Sequence, residues 1–222
     1  QKNAIVMGLM YPALTVTGGP GTGKSTVQKI LFTAINMYES KVPRENAMKG
    51  LIQAWQDQED MQGSYSLISA ACPTGKGAVR LAEASGEHAS TVHRQIGSRK
   101  DGACAFNAEK PIPAAVVATD EFSMMDTITT KKQMIAINGK ASMIIIGDDK
   151  QLTSVGAGQV LCDIIDSGIM PTAELKSTHR QGKESGIPIV ASRILAGVYP
   201  FQEGEELRGC THINVSDARA MD

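Results

Sequence analysis

The chain has 222 residues, 42% of them hydrophobic and 20% charged, with 22 Lys and Arg against 23 Asp and Glu for a formal net charge of -1. That is ordinary soluble globular composition, one or two domains long, with enough chain to bury a core without staples. The balance excludes a histone-like polycation but not a local basic patch, and 4% aromatics argue against a binding face built mainly from stacked rings.

The chain opens at Gln1 rather than Met, which points to a trimmed segment. Short apolar runs alternate with helical stretches and no internal repeat is visible, the rhythm of an α/β domain with a largely parallel sheet. Ala13 to Val16 reads as a strand, followed by a glycine loop and a helix from about Ser25 to Glu39. Lys41 to Ser64 interrupts the rhythm; Met48, Leu51, Ile52 and Trp55 fall there at helical spacing and predict a satellite helix. Leu67 to Ala71 is a second strand, with a helix from about Lys76 to Ala84. Gly97 to Pro113 is too long for a simple connection and predicts a small inserted hairpin. Ala114 to Ala118 is a third strand, with a helix from Thr127 to Ile137 after it. Met143 to Ile146 is a fourth, apolar throughout, as a strand covered on both faces should be. A helix from Gly158 to Ser167, a short strand from Thr172 to Leu175 and a helix from Glu184 to Ala196 complete the pattern.

Cys72, Cys104, Cys162 and Cys210 are widely spaced, with no C-x-x-C and no nearby His pair. They predict neither zinc nor a disulfide framework, but reduced, mostly buried thiols in a cytoplasmic protein. Asn214, Val215 and Ser216 match the glycosylation triplet, yet nothing else points to secretion. There is no signal-peptide pattern and no apolar run near eighteen residues, so no membrane span is expected.

Gly18, Gly19, Pro20, Gly21, Thr22, Gly23, Lys24 and Ser25 spell G-x-x-x-x-G-K-[ST] between a predicted strand and a predicted helix. Glycines let the backbone curl so that several N–H groups point at phosphate oxygens, and the helix start adds positive potential. Lys24 is placed to reach the β- and γ-phosphates, and the Ser25 hydroxyl to complete a magnesium shell. Such a loop needs a second metal contact and a group to activate water. Asp120 and Glu121 follow a strand, at the end where α/β sheets bind ligands. Asp120 is the expected metal contact and Glu121 the expected base. Gln151 follows the fourth strand and can hold a water or sense the γ-phosphate without taking a proton. Arg180 is a candidate for the positive charge that stabilises the leaving phosphoryl group.

Taken together in chain order, these motifs resemble the first motor domain of RecD-like helicases of superfamily 1. The resemblance rests on Gln1, Gly18–Thr26, Cys72–Ala78, Ala89–Arg94, Asp120–Met124, Gly147–Leu152 with Ser154–Gly156, and Thr178–Gln181. It implies a RecA-like fold, ATP and Mg²⁺ as cofactors, and movement 5′ to 3′ along single-stranded DNA between two RecA-like domains. It implies further that Gln1 reads the adenine ring and that Gly18 to Thr26 bind nucleotide. Pro73, Thr74, Gly75 and Lys76 would grip the DNA strand, with Thr91 and His93 as a second contact. The motor domain would then comprise residues 1–96 and 114–197, residues 97–113 would form a pin at the duplex fork, and residues 198–222 would lead to a second motor domain. A nuclease or recombination complex is an implied partner, DNA repair or recombination an implied setting, and the segment alone is expected to be weakly active or inactive.

The sequence departs from the family pattern at Phe122, where a small residue is usual, and at Thr153 and Ala157, where prolines are common. His179 replaces an aromatic residue and Gly77 an alanine. Two other classes stand beside the helicase: a non-catalytic DNA-binding module of a conjugative relaxase, and a small-molecule P-loop kinase. Intact Lys24, Asp120, Glu121, Gln151 and Arg180 argue against the first, and the spelling from Pro73 to Ala78 argues against the second. A relaxase-fused helicase remains an alternative to a free or nuclease-associated one.

Overall fold

A run such as Met143, Ile144, Ile145 and Ile146 has no polar member to offer water, so it needs cover on both faces. The computed structural model, which describes residues 1–39, 67–137, 139–176, 186–202 and 205–210, provides it. The elements are α1 (Lys2–Met10), β1 (Ala13–Thr17), α2 (Lys24–Glu39), β2 (Ile68–Cys72), α3 (Gly75–Ser85), β3 (Ala89–Thr91) and α4 (Val92–Gln95). They continue with β4 (Val116–Thr119), a short 3₁₀ turn (Phe122–Met124), α5 (Thr127–Ala136), β5 (Ser142–Gly147), α6 (Val160–Ser167), β6 (Thr172–Glu174) and α7 (Ile187–Leu195). The expected satellite helix around Met48 to Trp55, Arg180 and His179, and residues 211–222 lie outside the described residues.

The six strands form one sheet in the order β3-β2-β4-β5-β1-β6, and every pairing is parallel. The strand period of two divides the core. Leu14, Val16, Ile144 and Ile146 face one way and pack with Val27, Leu31 and Phe32 of α2. Met143 and Ile145 face the other way, against Phe122 and against Leu161 and Ile164 of α6. Val117 joins Ile96, Ile112 and Ala136 on that second side. Phe122, a departure from the family pattern, is fully buried and fills this second layer.

The sheet is the one expected, with shifted edges and some added pieces. Strand β4 starts at Val116 because the Ala114 N–H closes a tight turn on the Ile112 carbonyl at 2.9 Å. Helix α6 starts at Val160, after the Gly158 carbonyl is taken by the Ser154 hydroxyl at 3.1 Å. Helix α1 was not expected: its apolar residues are spread around it, with Ala4 and Gly8 buried, Ile5 and Met7 packed partly against the core and Val6, Leu9 and Met10 exposed, and a Cβ on Gly8 would meet Leu31 of α2 at 2.6 Å. The three-residue β3 and four-residue α4, which carry the Ala89–Arg94 motif, are too short to show a period in the sequence.

Residues 97–106 turn back on themselves. An antiparallel bridge joins Ser98 to Cys104, and the Arg99 N–H reaches the Ala103 carbonyl at 2.8 Å. Its exposed tip carries Arg99 and Lys100, and Lys132 of α5 donates to the Gly102 carbonyl at 3.0 Å.

The chain divides into two compact units, Gln1–Ser177 and Thr178–Asp222. The second contains α7, whose Arg193 makes a two-pronged pair with Glu205 and donates to the Pro200 carbonyl at 2.9 Å. No described helix is long and apolar enough to cross a membrane.

Truncation of Phe122 removes a ring with no exposure. Phe122→Ala is expected to lower the unfolding free energy by about 3–5 kcal/mol in urea titrations. A loss below about 1 kcal/mol would mean that this layer is not packed as described.

Candidate functional site

Parallel strands place all their carboxyl ends on one edge of a sheet, and that edge carries the candidate residues. Strand β1 ends at Thr17 and the chain enters Gly18 to Gly23 before α2 begins at Lys24. The Thr22 hydroxyl donates to the Gly19 carbonyl at 2.9 Å and closes the loop from within. The Lys24 ammonium donates to the Gly18 and Gly19 carbonyls at 2.5 and 3.2 Å, so it lies across the loop's own mouth. Gly23 has φ +92, and a Cβ there would collide with Gln1 Nε2. Gln1 also donates to the Thr22 carbonyl at 3.2 Å, which sets its amide against the loop. Ser25 and Thr26 are exposed in the first turn of α2, and Pro20 and Gly21 form the outer bend.

Two strands away, β4 delivers Asp120 and Glu121. The Asp120 N–H is held by the Ala71 carbonyl at 2.9 Å, which extends the ladder past the strand's end. Glu121 has φ 52 and ψ 40, a left-handed backbone unusual for a residue with a side chain. Its N–H donates to Asp120 Oδ1 at 2.9 Å, so the two carboxylates form one sharp corner. Burial pushes the Asp120 carboxyl up from 3.8 to about 6, with the Glu121 charge adding to the rise; the Glu121 N–H and the Lys24 ammonium pull it back. Lys24 and Asp120 therefore share one electrostatic site.

Strand β5, between β1 and β4, supplies the third loop. Asp148 is 1% exposed and accepts from the Lys150 N–H and from Gln151 Nε2, both at 3.1 Å. Asp149 accepts from the Thr17 hydroxyl, tying the Gln151 loop to the end of β1. Gln151 itself is exposed. Asp148 and Asp149 were not singled out from the sequence as supports, because two acids after a strand look like any solvated turn.

The far end of the same edge carries the second group. Thr74 caps α3 by accepting from the Gly77 N–H at 3.1 Å, and Thr91 caps α4 by accepting from the Arg94 N–H at 3.3 Å. Pro73 is half-buried, while Thr74, Gly75, Lys76 and His93 are exposed. Arg94, Arg99 and Lys100 are exposed beside His93, a basic run that the near-neutral total conceals. A Cβ on Gly77 would collide with Cys72 Sγ and lie 2.9 Å from Thr74 Oγ1. The glycine therefore makes room for a thiol that burial pushes up in pKa, with the charges of Asp120 and Glu121 acting in the same direction. The structure thus brings Gln1, the loop, Lys24, Asp120 and the Gln151 loop to one end of an edge, and the Thr74 and Thr91 turns to the other.

The profile of a known family, described as AAA domain, matches residues 1–157. The chain belongs to the AAA domain family, and within it is RecD-like. It is 31% identical over 217 residues to the RecBCD enzyme subunit RecD of Mycolicibacterium smegmatis, covering 89% of this chain and 35% of that one. It is 32% identical over 188 residues to the ATP-dependent RecD2 DNA helicase of Deinococcus radiodurans, covering 84% and 22% respectively. The chain spans about a third or less of the length of these curated relatives. Among solved structures it superposes on a Pif1 helicase from Candida albicans with a TM-score of 0.56 at 18% identity, covering 89% of this chain and 43% of that one. A Bacteroides Pif1 bound to ssDNA gives a TM-score of 0.54 at 17% identity, covering 89% and 46%. These two likenesses establish the RecA-like fold.

The Asp120 carboxyl has its folded value above its unfolded one, so the folded protein holds that proton more tightly. Its stabilising contribution is present below about pH 4 and is lost as pH rises through about 6. In cation-free buffer, Asp120→Asn is expected to flatten the fall in melting temperature across that window; an unchanged slope would contradict the assignment. Gly77→Ala is expected to cost about 1–3 kcal/mol, and most of that loss should vanish in a Cys72→Ala background. Equal costs in both backgrounds, measured by urea titration, would show that the thiol is not the obstacle.

Proposed function

We propose that this chain is the ATP-hydrolysing motor domain of a DNA helicase that moves 5′ to 3′ along a single strand. The observation that carries this reading is the shared edge. A lysine-bearing glycine loop and an acidic corner in electrostatic contact stand at one end of it. Two capped, exposed turns with basic neighbours stand at the other. The relative from Deinococcus radiodurans is an ATP-dependent DNA helicase, and the Bacteroides Pif1 structure holds ssDNA; both agree with this reading.

In this proposal Gln1 holds the adenine and the Gly18 to Thr26 backbone cradles the phosphates, with Lys24 leaving its own loop carbonyls for the β- and γ-oxygens. Ser25 and Asp120 would hold Mg²⁺. Both are hard oxygen donors, and a buried carboxyl raised to about 6 lacks the compensating charge that a cation brings. The ion would neutralise charge on the phosphate oxygens. Glu121 takes the proton from the attacking water. Gln151, braced by Asp148, senses the γ-phosphate, and Arg180 is assigned the charge on the leaving group. Pro73, Thr74, Gly75, Lys76, Thr91 and His93 contact the strand, with Arg94, Arg99 and Lys100 adding phosphate attraction. The 97–106 hairpin is the proposed fork pin. A second RecA-like domain beyond this chain would complete the nucleotide site, and the RecBCD subunits among the relatives make a nuclease complex the partner to test.

Two substitutions in the full-length protein test the reading by ATPase and nucleotide-binding assays. Lys24→Ala is expected to abolish turnover. Glu121→Gln is expected to keep nucleotide binding while hydrolysis falls by about 10²–10⁴. Unchanged turnover in the first, or lost binding in the second, would overturn the assigned roles.

A further inference from the structure

A buried polar chain runs under the sheet between the strand-contacting turn and the acidic corner. Gln133 of α5 is fully buried, and its Nε2 donates to Gln95 Oε1 at 2.6 Å and to Thr119 Oγ1 at 2.7 Å. Gln95, the last residue of α4, donates from Nε2 to the carbonyl and the hydroxyl of Ser69 in β2, both at 3.0 Å. Gln133 Oε1 has no hydrogen-bond partner among the described residues. Leaving such an acceptor unpaired costs free energy, while the same two amides pair the buried Thr119 hydroxyl and the Ser69 hydroxyl and carbonyl.

The ends of the chain are informative. Thr119 is the last residue of β4 and directly precedes Asp120 and Glu121. Helix α4 is a single turn that starts from the Thr91 cap and carries His93, so Gln95 moves whenever that turn moves. Among the described residues, the amides form a hydrogen-bonded link between the two regions on this side of the sheet.

We propose that Gln95 and Gln133 are positioning residues that carry strand contact at Thr91 and His93 to the Asp120–Glu121 corner, so that hydrolysis answers to bound single-stranded DNA. This rests on the helicase reading above. A shift of the α4 turn is passed through Gln95 to the Gln133 amide, then to the Thr119 hydroxyl and the carboxylates beyond it. A contiguous network of this kind can couple two sites, and a double-mutant cycle measures whether it does.

The test is steady-state ATPase of the full-length protein, with and without saturating oligo-dT, for wild type, Gln95→Leu, Gln133→Leu and the double variant. Turnover without DNA should stay within about twofold and the KM for ATP should not change, while stimulation by DNA falls about tenfold in each single variant. The double variant should be no worse than either single one, because both lie on one path. Full stimulation in all three variants, with only the melting temperature altered, would overturn the proposal and leave the pair a packing feature. Should Gln133→Leu fail to fold, Gln95→Leu, at the other end of the same bond, reads out the same loss. Absence of stimulation in the wild type would overturn the helicase reading itself, a different result from a stimulated wild type with unaffected variants.

Discussion

Six strands running one way put six carboxyl ends on a single edge, and the chemistry of the molecule depends on that alignment. Antiparallel pairing would have sent half of these loops to the opposite edge. As built, β1 delivers the glycine loop, β4 the acidic corner, β5 the Gln151 loop, and β2 and β3 the two capped turns. The parallel register also explains the apolar strands: cover on both faces is what lets helices return each chain to the start of the next strand.

Within that edge, one acid joins two loops and two others shape their own. Asp149 takes the Thr17 hydroxyl and so fixes the β5 loop to the root of the glycine loop. Asp148, buried, holds the Gln151 amide. Asp120 is the member left short of compensation, since one backbone N–H and a neighbouring ammonium do not offset its burial beside Glu121. The left-handed backbone at Glu121 costs about 1–2 kcal/mol, and such strain persists where the surroundings over-determine the geometry. The Ala71 bond to Asp120, the 3₁₀ turn and the packed Phe122 ring supply that over-determination.

The features legible in the sequence were those written in local pattern. Met143 to Ile146 is an apolar run with one reading, and the order of Gly18 to Ser25 between strand and helix fixes both a turn and a ligand class. What escaped is non-local. Helix α1 hides because its apolar residues do not keep to one face: Ile5 and Met7 pack on the core while Val6, Leu9 and Met10 are exposed. Gly77 is in sequence only a departure from the family pattern, and its reason, the Cys72 thiol beneath it, is visible only in the fold. Gln95 and Gln133 stand 38 positions apart, each an ordinary helix residue until the fold joins them. Arg180, assigned from the motif around it, lies outside the described residues and keeps its role as a proposal.

The most direct measurement is a crystal structure with a non-hydrolysable ATP analogue and Mg²⁺. The expected result is a triphosphate seated in the Gly18 to Ser25 loop, Lys24 turned from the Gly18 and Gly19 carbonyls onto its oxygens, and Asp120 on the metal side of the same site. Nucleotide bound elsewhere, with Lys24 still on those carbonyls and Asp120 remote from the phosphates, would contradict it.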